Sequence, residues 1–191
     1  MRRIVVPVCA VRRVRRFDDV VDGAFDRLRG HRPVDRVFYG ASAIGDHGMV
    51  WVMLGAIRGL RGDRHWRAAL RVGLGVGIES VLVNAGVKSL FRRSRPVAIV
   101  ERPFPLRIPL TSSFPSGHAT SAFCAATLLA DGDAHLAPLY FGAATVVALS
   151  RVHVRIHHAS DVAGGIVIGL LLGQLGKRIA PLEPPTVGSQ E

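Results

Sequence analysis

Aromatic residues make up only 6% of this 191-residue chain, cysteine occurs twice, and 14 acidic residues face 25 lysines and arginines. The two cysteines, Cys9 in a basic N-terminal stretch and Cys124 in an apolar one, exclude a disulfide framework and a thiolate metal site. Few aromatics beside 49% hydrophobic residues and 21 glycines fit helices packed closely in lipid, where small residues let backbones approach. The short apolar run at residues 4–11 is cut off by Arg12 and Arg13 before a small-residue cleavage site, so no cleaved signal peptide is expected.

The formal charge of +11 is compatible with nucleic acid, anionic lipid headgroups or a phosphorylated substrate. Its distribution decides among them. Arginines crowd into residues 2–16, 58–71 and 88–95, with apolar stretches between, which is the pattern of membrane spans joined by basic loops. A DNA-binding protein would instead carry one basic face on a soluble fold, and no nucleic-acid partner is expected.

Along the chain, residues 17–28 space their apolar side chains for one helical face and read as an interfacial helix. A first candidate span covers residues 37–57, with Asp46 and His47 near its middle, and a second covers 68–91, long enough to cross about 30 Å of hydrocarbon. A loop rich in proline and arginine occupies 92–114. Helices follow at about 116–130, 136–150 and 159–176, the last with Gly165, Gly169 and Gly173 on one stripe suited to close helix contact. The expectation is an all-α transmembrane helical bundle of about five spans. It divides into a basic N-terminal segment with an interfacial helix (1–36), a membrane domain (37–178) and a disordered tail (179–191). A soluble helical bundle is the competing reading.

Three clusters carry chemistry. The first is Lys88 followed after six residues by Arg95 and Pro96. The second is Pro115, Ser116, Gly117 and His118, where a loop becomes a helix. The third is Ser150 and Arg151, then His157 and Asp161. A phosphoryl group in transfer spreads charge over three oxygens, so a metal-free site needs several fixed cations and amide donors. Lys88, Arg95 and Arg151 supply cations, arginine as a fork for two oxygens and lysine as a compact charge. Ser116 and Gly117 offer the free N–H groups of a helix start. His157 is read as the nucleophile, with Asp161 a helical turn later to hold its ring in one tautomer. His118 is the acid for the departing alkoxide and then the base that activates water.

These three signatures, complete and in order over residues 88–161, resemble the type 2 phosphatidic acid phosphatase superfamily, which includes membrane lipid phosphatases and vanadium haloperoxidases. The resemblance implies that Lys88, Arg95 and Arg151 bind phosphate with help from Ser116 and Gly117, that His118 is the acid, and that His157 and Asp161 are nucleophile and partner. It implies a metal-independent hydrolase of phosphatidate, phosphatidylglycerol phosphate, polyprenyl diphosphate or a polyprenyl-linked phosphate, working without a cofactor through a phosphohistidine. Membrane members of the family usually have six spans with the clusters on the extracytoplasmic side. Five are counted here; the first is the one missing, and a re-entrant or surface-lying N-terminal helix takes its place. The compact, arginine- and alanine-rich chain points to a bacterium of high genomic GC content, whose carrier-lipid phosphates supply the cell wall. The expected location is the plasma membrane with the active site on its extracytoplasmic side.

Blander readings stand beside these. Arg92, Arg102 and Arg107 fit interfacial arginines that snorkel to headgroups, while Arg93 and Arg155 lie closer to the clusters, as second-layer or headgroup contacts. His153 and His158 fit no pattern and read as structural or exposed. Eight histidines raise the question of zinc, but cationic neighbours repel a metal. Asp46, His47, Glu79 and Asn84 are costly in lipid and belong inside the bundle or in a wet cavity. A vanadium-dependent haloperoxidase-like enzyme and a non-catalytic membrane binding protein of the same fold remain as rival functions.

Overall fold

A computed structural model describes residues 8–96 and 102–182, with the side chains of residues 8–10, 47, 63 and 64 left aside. The described residues form helices α1 (Val8–Asp26), α2 (Arg32–Ile44), α3 (Met49–Gly59), α4 (Asp63–Val81), α5 (Lys88–Leu90), α6 (Gly117–Gly132), α7 (Ala137–His153) and α8 (Ala159–Ile179), and no strand. A π-helical segment, Leu82–Val87, joins α4 to the single turn of α5. The result is one continuous rod, His65–Leu90, where the sequence predicts the span 68–91. That rod and Ala159–Ile179 are the two described helices long and apolar enough to cross a membrane.

The predicted span at 37–57 is not one helix. It is α2 and α3, separated by a 3-10 turn at Asp46–Gly48 in which Gly48 takes φ +68°. The apolar count of the segment hid the break, but its physical cause is in the sequence: Gly45, Asp46 and Gly48 disfavour a helix interior. The expected tail begins on the last residue of α8, and its residues 183–191 lie outside those described. Residues 4–7 of the short N-terminal apolar run also lie outside.

Helix α6 is the axis of the bundle, with every residue from 119 to 129 buried. Helix α8 lies against it along the predicted glycine stripe. A Cβ on Gly165 would meet the Ser116 carbonyl oxygen at 2.6 Å, one on Gly169 would run into the Thr120 carbonyl, and one on Gly173 would stand 2.6 Å from Thr127 Cβ. The outer faces are inverted relative to a water-soluble bundle. Leu70, Leu74 and Ile78 of α4 and Val167, Leu171 and Leu175 of α8 are exposed, while Arg58, Arg71, Glu79, Thr120 and Thr127 are buried. Apolar surface outside and polar groups inside suit a hydrocarbon solvent.

The two ends of the bundle differ. At one, the α6–α7 turn is pinned by ion pairs of Arg58 with Asp133, and of Arg71 (2.7 Å) and Lys177 (3.0 Å) with Asp131. At the other, the helix starts of α6 and α8 and the ends of α5 and α7 gather. The N-terminal helices cover this second end: Arg29 donates to the carbonyls of Val152 (2.8 Å) and His153 (2.9 Å), and Val21 and Phe25 pack on the core.

Gly169→Ala is expected to lower the unfolding midpoint in detergent, because the added methyl has a backbone carbonyl in its way; overpacking of this kind costs about 1–3 kcal/mol. Gly77→Ala, where nothing beyond the local helix backbone lies within 4 Å of the new Cβ, is the matched control and should not lower it.

Candidate active site

All three sequence clusters meet at the covered end. A cavity of about 270 Å³ there is lined by Lys88, Gly117, His118 and His157, together with Asp46, Glu79, Asn84 and Arg107. A wider, more open depression adjoins it through Lys88, Pro109 and Thr111 and includes Arg92, Arg93 and Arg95.

Lys88 reaches the cavity because the π-helical turn shifts the end of the α4 rod by a fraction of a turn, a device common at functional sites. Its ammonium donates to Asn84 Oδ1 at 2.8 Å. It also lies 3.5 Å from the point a Cβ on residue 117 would occupy, so Gly117 leaves the lysine room beside the start of α6. Ser116 precedes that helix; it is fully buried, its N–H donates to the Asp161 carbonyl (3.1 Å), and its hydroxyl has no partner among the described residues.

Arg95 is held like a bracket, donating to the carbonyls of Pro109 (3.0 Å), Thr111 (3.0 Å), Ser112 (3.2 Å) and Ile156 (3.1 Å). The same guanidinium lies 3.2 Å from His157 Nε2. Arg151 is 1% exposed; one terminal nitrogen donates to Ser42 Oγ, while Nε and the other terminal nitrogen have no partner among the described residues. Such buried donors are uncommon and call for an explanation.

His157 stands in the loop between α7 and α8. The Arg151 carbonyl accepts from the N–H groups of both Ile156 and His157 (3.1 Å each), and Arg155 turns the chain at φ +52°. Arg155 is tied down by Asp26 (2.6 Å), and Arg102 donates to the carbonyls of Val154 and Arg155 (3.4 Å each). His157 Nδ1 lies 3.8 Å from Asp161 Oδ2, near but beyond hydrogen-bond length. The Asp161 carboxylate is occupied elsewhere. Oδ2 accepts from Ser113 Oγ (2.5 Å) and the His158 N–H (2.9 Å), and Oδ1 accepts from Arg93 (2.6 Å).

His118, one residue into α6, places Nε2 3.0 Å from Asp46 Oδ1 and 3.2 Å from the Ser42 carbonyl. The turn that breaks the predicted first span therefore delivers a carboxylate to a candidate proton-transfer residue. An acid inside an apolar run was the one signal for it. Ser42, Ser113 and Asp18 carried no signal at all, since each is an ordinary residue of a helix or loop until the chain folds. His153 is structural: it is buried, pairs with Asp35 (2.8 Å) and stacks on Phe38 at 4.6 Å. His158 caps α8.

Burial pushes the His157 imidazole down to about 3, with the Arg151 and Arg95 charges acting in the same direction and Asp161 against it. Its ring is therefore neutral at physiological pH, and the Arg95 guanidinium 3.2 Å from Nε2 suits the tautomer in which that nitrogen accepts and the proton sits on Nδ1.

Comparison with known proteins bears on the whole arrangement. The model of the PAP2 superfamily matches residues 68–183. Decaprenylphosphoryl-5-phosphoribose phosphatase of Mycobacterium tuberculosis is 34% identical over 141 residues, 71% of this chain and 75% of that protein. Lipid A 1-phosphatase of Porphyromonas gingivalis is 36% identical over 113 residues, 57% of this chain and 23% of that protein. The crystal structure of a transmembrane PAP2-type phosphatidylglycerolphosphate phosphatase from Bacillus subtilis superposes with a TM-score of 0.67 and 26% identity. That match covers 87% of this chain and 85% of the other.

The neutral imidazole has a consequence for stability. Its folded value lies below the ordinary one near 6.5, so between about pH 6.5 and 3 the unfolded chain binds a proton that the folded chain refuses. The stability from this group is complete above about pH 6.5 and is lost as pH falls toward 3. In acid titrations of the unfolding free energy, His157→Gln should show a shallower decline than the wild type, by at most about 1.4 kcal/mol per pH unit. Identical slopes would contradict it.

Proposed function

This chain belongs to the PAP2 superfamily, and we propose that it is a metal-independent membrane phosphatase that hydrolyses a lipid phosphate through a phosphohistidine on His157. The observation that carries this reading is the meeting of Lys88, Gly117, His118 and His157 around one cavity, with Arg95 and Arg151 beside it. The phosphatase activity itself agrees with the relatives, which are named as phosphatases.

In the proposed cycle Lys88, Arg95 and Arg151 surround the phosphate oxygens, and the N–H groups at the start of α6 add to them. The two unpartnered nitrogens of Arg151 are donors that a phosphate oxygen can satisfy. His157 Nε2 attacks phosphorus as the bond to the lipid oxygen breaks, and His118 delivers a proton to the departing alkoxide. Asp161 sits beside Nδ1, where it stabilises the positive charge that the ring acquires. His118 then takes a proton from water as that water attacks the phosphohistidine, which frees inorganic phosphate and restores His157.

Among candidate substrates, a phosphomonoester on a polyprenyl-linked sugar is favoured over phosphatidate, phosphatidylglycerol phosphate and polyprenyl diphosphate. Relatives matched over most of their length carry that activity in their names, including one from Mycolicibacterium smegmatis, 33% identical over 82% of that protein. The apolar outer faces of α4 and α8 support a membrane location, read here as the bacterial plasma membrane with about five spans. Arg58, Arg61, Arg67 and Arg71, around the α3–α4 turn, support a cytoplasmic reading of the end opposite the cavity and, with it, an active site on the extracytoplasmic side. The domain occupies residues 37–178, and the N-terminal helix lies on the membrane surface.

The test is phosphate release from a panel of lipid phosphates in detergent with chelator present. Wild type should be active, and should yield an acid-labile phosphoprotein on rapid quenching that His157→Ala does not. His118→Ala should lose roughly 10²–10⁴-fold in rate. Unchanged release by His157→Ala, or an activity abolished by chelator, would overturn the mechanism.

A further inference from the structure

We propose that the N-terminal helix is part of the catalytic apparatus: Asp18 of α1 and Arg93 of the α5–α6 loop are positioning residues that fix the Asp161 carboxylate, and through it the His157 ring. The proposal rests on the roles given to His157 and Asp161 above.

Asp161 is wholly buried and Asp18 nearly so. Two carboxylates held that close to one cation are costly unless a fork joins them. Arg93 is that fork. One terminal nitrogen donates to Asp161 Oδ1 (2.6 Å) and Ser160 Oγ (2.7 Å), and the other donates to Asp18 Oδ2 (2.6 Å). Asp18 closes the ring, with Oδ1 accepting from the Ser160 N–H (2.8 Å) and Oδ2 from the Ser160 hydroxyl (2.9 Å). The first turn of α8, which carries Asp161, is thus locked from α1.

This lock bears on chemistry because of how Asp161 spends its oxygens. Oδ1 is committed to Arg93, and Oδ2 to Ser113 and the His158 N–H, so the plane of the carboxylate is set without help from His157. The ring nitrogen then sits 3.8 Å from a charge whose position is already determined. As Nε2 bonds to phosphorus the ring becomes cationic, and a carboxylate fixed in advance stabilises that charge without reorganising. The relay should therefore act on the covalent step and not on capture of phosphate, which belongs to Lys88, Arg95 and Arg151. Asp18 is not needed merely to dock α1. Arg29 already ties the end of that helix to the α7 carbonyls, with its own partners Asp22 (2.5 Å) and Asp26 (2.6 Å), and Val21 and Phe25 pack on the core.

The experiment uses the full chain in detergent with the lipid phosphate that the wild type cleaves best. Arg93→Gln and Asp18→Asn should lower kcat by roughly 10–100-fold, the range typical of groups that orient a reacting side chain through a second residue. KM and inhibition by inorganic phosphate should stay unchanged. Arg93→Lys, which keeps the charge but cannot bridge both acids, should recover part of the loss. Asp22→Asn should leave kcat intact. Selective ¹⁵N-histidine NMR supplies a readout independent of turnover: the wild-type His157 should hold one tautomer, with the proton on Nδ1, and Arg93→Gln should mix the two. Retained kcat with an unchanged His157 signal in folded Arg93→Gln and Asp18→Asn would reduce the ring to a structural tie and overturn the proposal. So would a rise in KM with kcat intact, which would make Arg93 a substrate contact. If the wild type cleaves no lipid phosphate, the functional reading fails, and the tautomer comparison still decides the relay.

Discussion

The approach of α8 to α6 is the constraint on which the rest of the molecule depends. At Gly165, Gly169 and Gly173 no side chain fits between the two backbones, so the helices run in direct contact and their starts lie side by side. One start carries Ser116, Gly117 and His118; the other carries Asp161, four residues beyond His157. The hydrogen bond from the Ser116 N–H to the Asp161 carbonyl records how closely the two ends meet. Small residues give close packing in lipid, where no hydrophobic force draws helices together, and here the packing also brings the candidate site residues to one point.

Gathering cations at that point has its own cost, and the chain meets it with neutral acceptors. Arg95 is surrounded by carbonyls, Lys88 leans on Asn84, and among the described residues Arg151 keeps Ser42. Among the described residues none of the three forms an ion pair with a carboxylate, so their field is open to an anion. Of the acids at this end, Asp46 sits on His118 and Asp161 near His157 with Arg93 and Asp18 beyond it, while Glu79 lines the cavity together with Lys88. The opposite end of the bundle uses the reverse arrangement. There Arg58, Arg71 and Lys177 are paired off against Asp131 and Asp133, which suits anchoring and leaves little field for a ligand.

The N-terminal helix changes meaning once the chain is folded. As sequence it is a basic amphipathic segment, fit for a membrane surface, and Arg12, Arg13, Phe17 and Val20 do remain exposed. Its Asp18, Asp22 and Asp26, spaced by four, form the other face. That face reaches the α7–α8 loop and the start of α8 through Arg29, Arg93, Arg155 and Ser160. One helix can thus lie on the surface and still close the site.

The sequence by itself determined the helical class, the glycine face, the polar-inside character of the helices and the residue types of the candidate site. Those depend on local spacing: Arg151 in the last turn of α7, His157 in the loop after it and Asp161 in the first turn of α8 lie within eleven positions, and Ser116 to His118 mark a helix start wherever that helix goes. Only the tertiary structure decided which acids serve which bases. Asp46 meets His118 across 72 positions, and Asp18 reaches Arg93 across 75; no periodicity encodes a pairing between separate helices. The break at Asp46–Gly48 was likewise obscured, because an apolar average over a window does not register a turn that exists to aim one carboxylate. Contacts of that kind arise from packing, and packing is a property of the whole chain.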